Sequence, residues 1–151
     1  MSAKPHGDKA FWRPEVTPEA LNARSPGFLP GLVGMEVLRV EDGILEARLS
    51  VRRDLMATNG FLHAAAVIAL ADTSCGYATL AHLPPYATSF TTIELKANLL
   101  GTAREGGIRS LATAQHLGKS TQVWDAVVAD EATGRRIALF RCTEMILYKK
   151  D

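Results

Sequence analysis

From Phe61 to Ala71 the chain is apolar for eleven residues, with His63 the one exception, and a turn-forming Thr58-Asn59-Gly60 stands just before it. The pattern predicts a helix that is apolar on nearly every face. Such a helix must be buried, either inside a large core or in a membrane. Eleven residues cannot span a bilayer, which takes about 20, so the run is expected at the centre of the fold, wrapped by other elements. His63 opens it, and Asp72 follows directly after it. A carboxylate in such a helix is costly unless it is paired or used.

The flanking segments define the wrapping. Thr17-Pro18-Glu19-Ala20-Leu21-Asn22 predicts a short helix, with Thr17 as N-cap, Pro18 as first helical residue and Ser25-Pro26-Gly27 as stop. Phe28 to Leu32 reads as an apolar loop. Leu32–Val40 and Ile44–Val51 alternate around Glu41-Asp42-Gly43 and predict a hairpin. The central helix should end near His82-Leu83-Pro84-Pro85. Strands then follow over Thr88–Leu100, Ile108–Leu117, Thr121–Asp130 and Arg136–Tyr148, with short turns suited to an antiparallel meander. Two strands, one long buried helix and four strands make an α+β domain in which a sheet surrounds the helix. Residues 1–16 are expected as a mobile tail and residues 17–151 as a single domain.

Charge and cysteine usage narrow the function. A net charge of +1 carries no basic excess of the kind that binds nucleic acid. The two cysteines, Cys75 and Cys142, have neither metal-ligand nor disulfide-framework spacing. Lys4, Asp8, Lys9 and Arg13 interrupt any apolar signal core. These features predict a soluble cytoplasmic protein that binds no metal, membrane or nucleic acid.

The order of elements, with Asn-Gly-x-x-His before an apolar helix carrying Leu70-Ala71-Asp72, resembles the hotdog-fold acyl-CoA thioesterases. The phenylacetate-pathway and 4-hydroxybenzoyl-CoA types are the most similar, over about residues 28 to 148. Such a helix begins His-Gly-Gly in that family, with a carboxylate eight residues after the first glycine. Here His63 precedes Ala64-Ala65, and Asp72 lies eight residues after Ala64. The resemblance implies hydrolysis of an acyl-CoA thioester to free acid and coenzyme A, with no cofactor beyond the coenzyme A of the substrate. It makes Asp72 the catalytic carboxylate, either attacking directly to give a mixed anhydride or deprotonating water. It makes the Ala64 N–H the oxyanion donor at the helix start, where free amides and the helix dipole favour negative charge. An amide donates from Ala as from Gly, provided the position is helical.

Supporting residues are Asn59, Thr92 and His63. Asn59 polarises the thioester carbonyl or makes the turn before Gly60; the family often has a polar side chain at the position of Ala57. Thr92 matches a family hydroxyl that positions water or the nucleophile, or simply has β-propensity. His63 reads first as a structural group at the helix start and second as a proton carrier. Basic residues should meet the phosphates of coenzyme A, with Arg104, Arg109, Lys119, Arg135 and Arg136 as candidates. Phe28, Leu29, Phe61 and Tyr77 are candidates for the acyl end.

Helix geometry adds a constraint of its own. Eight helical residues rise about 12 Å, so Ala64 and Asp72 of one helix cannot flank one carbonyl carbon. Two antiparallel helices related by a two-fold axis would bring them together twice. A homodimer is therefore expected, and the resemblance implies a dimer or a dimer of dimers. Two other readings fit the same residues. One is a hotdog-fold enoyl-CoA hydratase or dehydratase that uses Asp72 with His63. The other is a non-enzymatic acyl-CoA binding protein.

Overall fold

The computed structural model describes residues 11–150. Its centre is the predicted helix, α3 (Ala64–Leu80). Before it come α1 (Pro18–Arg24), α2 (Leu29–Val33), β1 (Met35–Glu41) and β2 (Ile44–Ser50). After it come β3 (Ala87–Leu99), β4 (Gly107–Leu117), β5 (Thr121–Asp130) and β6 (Arg136–Tyr148). The six strands form one antiparallel sheet in the order β1-β2-β4-β5-β6-β3. The strand that directly follows the helix thus ends at the far edge, beyond β6.

Small side chains let the sheet close on the helix. Ala66, Val67, Leu70, Ala71, Ser74, Cys75, Gly76, Ala78 and Thr79 of α3 are all buried. They face Leu45, Leu49, Ile108, Trp124, Val128 and Ile137 of the sheet, all buried as well. The two hydroxyls of that set return to the helix's own carbonyls, Ser74 Oγ to Leu70 O at 2.7 Å and Thr79 Oγ1 to Cys75 O at 3.0 Å. No buried hydroxyl of α3 is left to weaken the core. The wrap is incomplete, however. Ala65 is exposed, and Ile68, Ala69, Asp72 and Thr73 are half-buried, so a stripe of α3 stays uncovered. The full enclosure anticipated from sequence is corrected here, because six strands curl around only part of the circumference.

Both ends of the sheet are informative. At β1, Asn22 of α1 acts as a surrogate strand: its Oδ1 accepts from Val37 N–H at 2.8 Å and its Nδ2 donates to Val37 O at 3.0 Å. Thr17 caps α1 as expected, accepting from Ala20 N–H at 3.2 Å. At the other edge, β3 pairs with β6 on one side and carries exposed Ile93, Leu95 and Leu99.

Two expectations are revised. Phe28–Leu32 is not a loop: Leu29–Val33 is a short helix with Pro30 in its first turn, ended by Gly34 in the left-handed region at φ 77°. Arg52 fixes it by donating to Val33 O at 2.8 Å and Leu32 O at 2.6 Å. The tail expected over residues 1–16 divides. Residues 1–10 lie outside the described residues, whereas Phe11 is buried and Arg13 donates to Leu83 O and Pro84 O, both at 3.0 Å. The segment packs because Trp12 stacks on His82, with ring centroids 5.1 Å apart.

His82 is fully buried and joins three elements. Its Nδ1 donates to Ala78 O at 2.7 Å and its Nε2 accepts from Gly43 N–H at 2.8 Å, which fixes a neutral ring. Its own carbonyl accepts from Gln122 Nε2 at 2.7 Å, and Gln122 Oε1 accepts from Trp124 Nε1 at 3.2 Å. Burial pushes the His82 pKa down, against opposing contributions from Ala78 O and Asp42. The unfolded chain therefore binds a proton more readily than the native one. Stability is full above the ordinary histidine pKa of about 6.5 and falls as pH drops through it. Denaturant titrations of wild type and His82→Gln at several pH values should show this acid loss in wild type and a weaker one in the variant. The variant should also be less stable at neutral pH by about 1–3 kcal/mol.

Candidate active site

Asp72 sits two turns into α3 on its uncovered stripe. One of its oxygens, Oδ1, is turned inward and has no hydrogen-bond partner. Burial pushes the Asp72 carboxyl above the ordinary carboxylate range, and the nearby Thr92 hydroxyl opposes the shift. Thr92 comes from β3, where alternation turns it toward the helix while Thr91 faces out. The sequence-predicted carboxylate and hydroxyl therefore meet.

A third member was not anticipated. Glu144 of β6 stands in register with Thr92 and is fully buried. Its Oε1 accepts from Thr92 Oγ1 at 3.2 Å and from Cys142 Sγ at 3.3 Å. Its Oε2 has no partner. Burial pushes the Glu144 carboxyl up, and the neighbouring Asp72 adds to the shift, while the hydrogen bonds from Thr92 and Cys142 oppose it. A signal for this residue was present: the inward positions of β6 read Phe140, Cys142, Glu144 and Ile146, so a charged residue occupies an otherwise apolar row.

An oxygen of Asp72, an oxygen of Glu144 and the sulfur of Cys142 lie within 4.8 Å of one another. The donor set fits a resident cation poorly. Metal ligation takes a thiolate, whereas the neighbouring Cys75 thiol first, and burial second, push the Cys142 thiol well above its usual range. The thiol keeps its hydrogen and donates a hydrogen bond through it to Glu144 Oε1.

The remaining predicted residues gather at the start of α3. His63 is the N-cap: its Nδ1 accepts from Ala65 N–H at 2.9 Å. Asn59 Oδ1 accepts from Phe61 N–H at 3.4 Å across Gly60, which takes φ 84°. Both side chains thus shape the turn that delivers the helix start. Ala64 heads the helix, where amides have no intrahelical partner, and its helical backbone accommodates a Cβ. Asn59, Phe61, His63, Ala64, Leu100 and Arg135 line one cleft of about 670 Å³. Arg104 lies over the Phe61 ring at 5.3 Å.

The structure does not bring Ala64 and Asp72 of one chain together, since about 12 Å of helix separates them. Nor does His63 reach Asp72, nine residues further along α3. Arg109 points elsewhere, paired with Glu46 and Glu131 at 3.0 Å each. Of the four apolar candidates, Phe28 and Tyr77 share a wall near α1, Leu29 borders the helix start on one side and Phe61 on another. The space left by Gly76 is already filled: a Cβ there would meet the Phe90 ring at 3.0 Å.

Comparisons with known proteins agree with this geometry. Residues 59–137, just over half of the chain, match the family model described as the thioesterase superfamily. The proofreading thioesterase EntH of Cronobacter turicensis is 32% identical over 142 residues, covering 91% of this chain and 98% of that protein. The 1,4-dihydroxy-2-naphthoyl-CoA hydrolase of Escherichia coli is 32% identical over 137 residues, with 91% and 99% covered. Among solved structures, a mutant thioesterase from Pseudomonas aeruginosa superposes with a TM-score of 0.85 at 28% identity, covering 91% of this chain and 98% of that one. A Haemophilus influenzae thioesterase gives 0.85 at 25% identity, with 91% and 95% covered. No helix among the described residues is long and apolar enough to cross a membrane. The chain belongs to the thioesterase superfamily and is a thioester hydrolase of the hotdog fold.

Proposed function

We propose that this hydrolase acts on acyl-CoA thioesters at sites completed by a second copy of the chain. The observation that carries the reading is Asp72: a half-buried carboxylate on the uncovered stripe of a helix whose own N-terminus is too far away to assist it. A two-fold axis beside α3 and β3 sets Asp72 of one copy against the helix start of the other. The Ala64 N–H then faces the oxygen of the tetrahedral intermediate, where an aligned donor is most effective. Asp72 is the nucleophile or the base, Thr92 stands beside it, and Asn59 and His63 shape the helix start that presents the amide. The exposed Ile93, Leu95 and Leu99 of β3 support the pairing, because an open apolar edge that long invites a partner strand.

Coenzyme A as leaving group is supported by the Escherichia coli relative, whose name specifies a CoA thioester. It is supported also by the cleft at the helix start, where Arg135 lines the wall and Arg104 stands over Phe61. Either guanidinium would meet phosphate oxygens of a coenzyme bound there.

Three measurements test the reading. Free-thiol release from phenylacetyl-CoA, a benzoyl-CoA and a medium-chain acyl-CoA should occur with wild type and fall by roughly 10²–10⁴-fold in Asp72→Ala; equal rates in both would remove Asp72 from the chemistry. Ile93→Arg should shift the sedimenting species to monomer and abolish turnover together, since neither half-site works alone. Arg135→Ala should raise KM for an acyl-CoA by roughly tenfold while leaving KM for the matching N-acetylcysteamine thioester, which has no phosphates, unchanged.

A further inference from the structure

Glu144 is a costly residue that neither the resemblance nor the catalytic scheme above uses. It is fully buried, at 0% exposure, on a strand face that is otherwise apolar. Its Oε1 is satisfied by Thr92 and Cys142, and its Oε2 by nothing. Asp72 matches it with a buried, unpartnered Oδ1. The two carboxyls and Cys142 Sγ fall within one 4.8 Å group. Each carboxyl thus keeps a buried oxygen that lacks a donor among the described residues.

Among the described residues, the surroundings supply no neutralising charge. From α3 the group is faced by Asp72 and Cys75, from β3 by Thr92, from β6 by Glu144 and Cys142, and from β5 by the neutral Gln122, which stands opposite Glu144. Among the described residues, neither carboxyl enters an ion pair. Two negative charges this close, with no cation beside them among the described residues, repel each other, which favours one proton kept by the pair. The hydroxyl of Thr92 has a single hydrogen and cannot satisfy both carboxyls.

We infer that Glu144 is the positioning residue for Asp72: it remains a neutral carboxylic acid, and its hydrogen is held between the two carboxyls on the Oε2 and Oδ1 sides. This rests on the reading of Asp72 as the catalytic carboxylate. The shared hydrogen holds the inward oxygen Oδ1 in place and leaves Oδ2 as the oxygen turned toward the uncovered stripe, where an acyl carbon or a water would stand. The active form of the enzyme then carries one proton on the pair. A second proton, added in acid, removes the negative charge that reacts. Loss of the shared proton, in base, releases Asp72 from its partner. Both losses act on kcat more than on KM, because neither touches coenzyme A.

The test combines a readout of protons with a readout of turnover. Infrared difference spectra of wild type, Glu144→Gln and Asp72→Asn over a pH series report the protonated-carboxyl C=O stretch without substrate. Wild type should keep one buried protonated carboxyl at neutral pH, and Glu144→Gln should lack it. Because the folded pair holds its proton above the ordinary carboxylate range, wild-type stability should fall as pH rises through the loss of that proton, and the Gln variant should be spared this fall. For turnover, the pH profile of kcat should be bell-shaped in wild type and lose its alkaline limb in Glu144→Gln. Glu144→Leu, which fills the space without a hydrogen to give, should lose on the order of 10–100-fold in kcat with little change in KM, and Gln should recover much of that loss.

A wild-type spectrum with no protonated carboxyl at neutral pH, or one unchanged by Glu144→Gln, overturns the inference. So does a stoichiometric zinc ion in the purified protein whose removal by chelator abolishes activity. Failure of wild type to release thiol from any acyl-CoA would instead count against the proposed substrate class, with the spectra still deciding where the proton is.

Discussion

The structure depends on a sheet closing around a helix that has no polar face of its own. Helices on a surface are held by one apolar stripe; α3 has to be held from several sides, and that is possible only because its side chains are small. Alanine, glycine, serine and cysteine at its buried positions let strands come near its axis, and the two inward hydroxyls bond back to the helix. The cost appears where the sheet stops. The uncovered stripe and the strand beside it present apolar surface together with a carboxylate, a combination that a monomer would have reason to avoid and an enzyme built across two copies would not.

Placement of the reacting groups follows from the same geometry. An α-helix offers free amides at one end only, and a side chain two turns later lies beyond their reach. Amide and carboxylate on one helix therefore cannot both reach one reacting carbon. The turn before α3 is correspondingly elaborate for its length. His63 caps the helix through Nδ1, Asn59 closes a turn across Gly60, and Thr102 Oγ1 accepts from Leu62 N–H at 2.9 Å. Each bond helps fix the direction in which the first helical amide points.

Much of this was legible in the chain, and the gaps have identifiable causes. Periodicity gave the ends of β5 and β6 as they stand, and the Thr17-Pro18 cap gave the start of α1. The short α2 was hidden because Pro30 and Gly31 read as turn residues. Gly31 is there for a different reason: α2 lies so close to Ser25 that a Cβ would clash with its carbonyl oxygen. Phe11 to Arg13 look like tail in the sequence because their partners, His82 and the Leu83-Pro84 carbonyls, lie about seventy residues away. At the site, Asp72 stood out as a charge inside an apolar helix. Glu144 is the same anomaly in a strand, but a period of two spreads the apolar neighbours among outward polar ones, and the charge no longer looks misplaced. Contacts across the sheet were needed to see it facing Asp72.

The clamp of Asn22 on Val37 has a consequence for growth. A sheet can be extended at either margin, and the protein treats its two margins differently. One is plugged at its middle by a side-chain amide that occupies both the donor and the acceptor a newcomer would seek; the other lies open for thirteen residues. A newcomer meets less resistance at the open margin, and when the neighbour is its own twin, that margin is consumed on both. Association along the strands then ends at a pair instead of continuing into a ribbon.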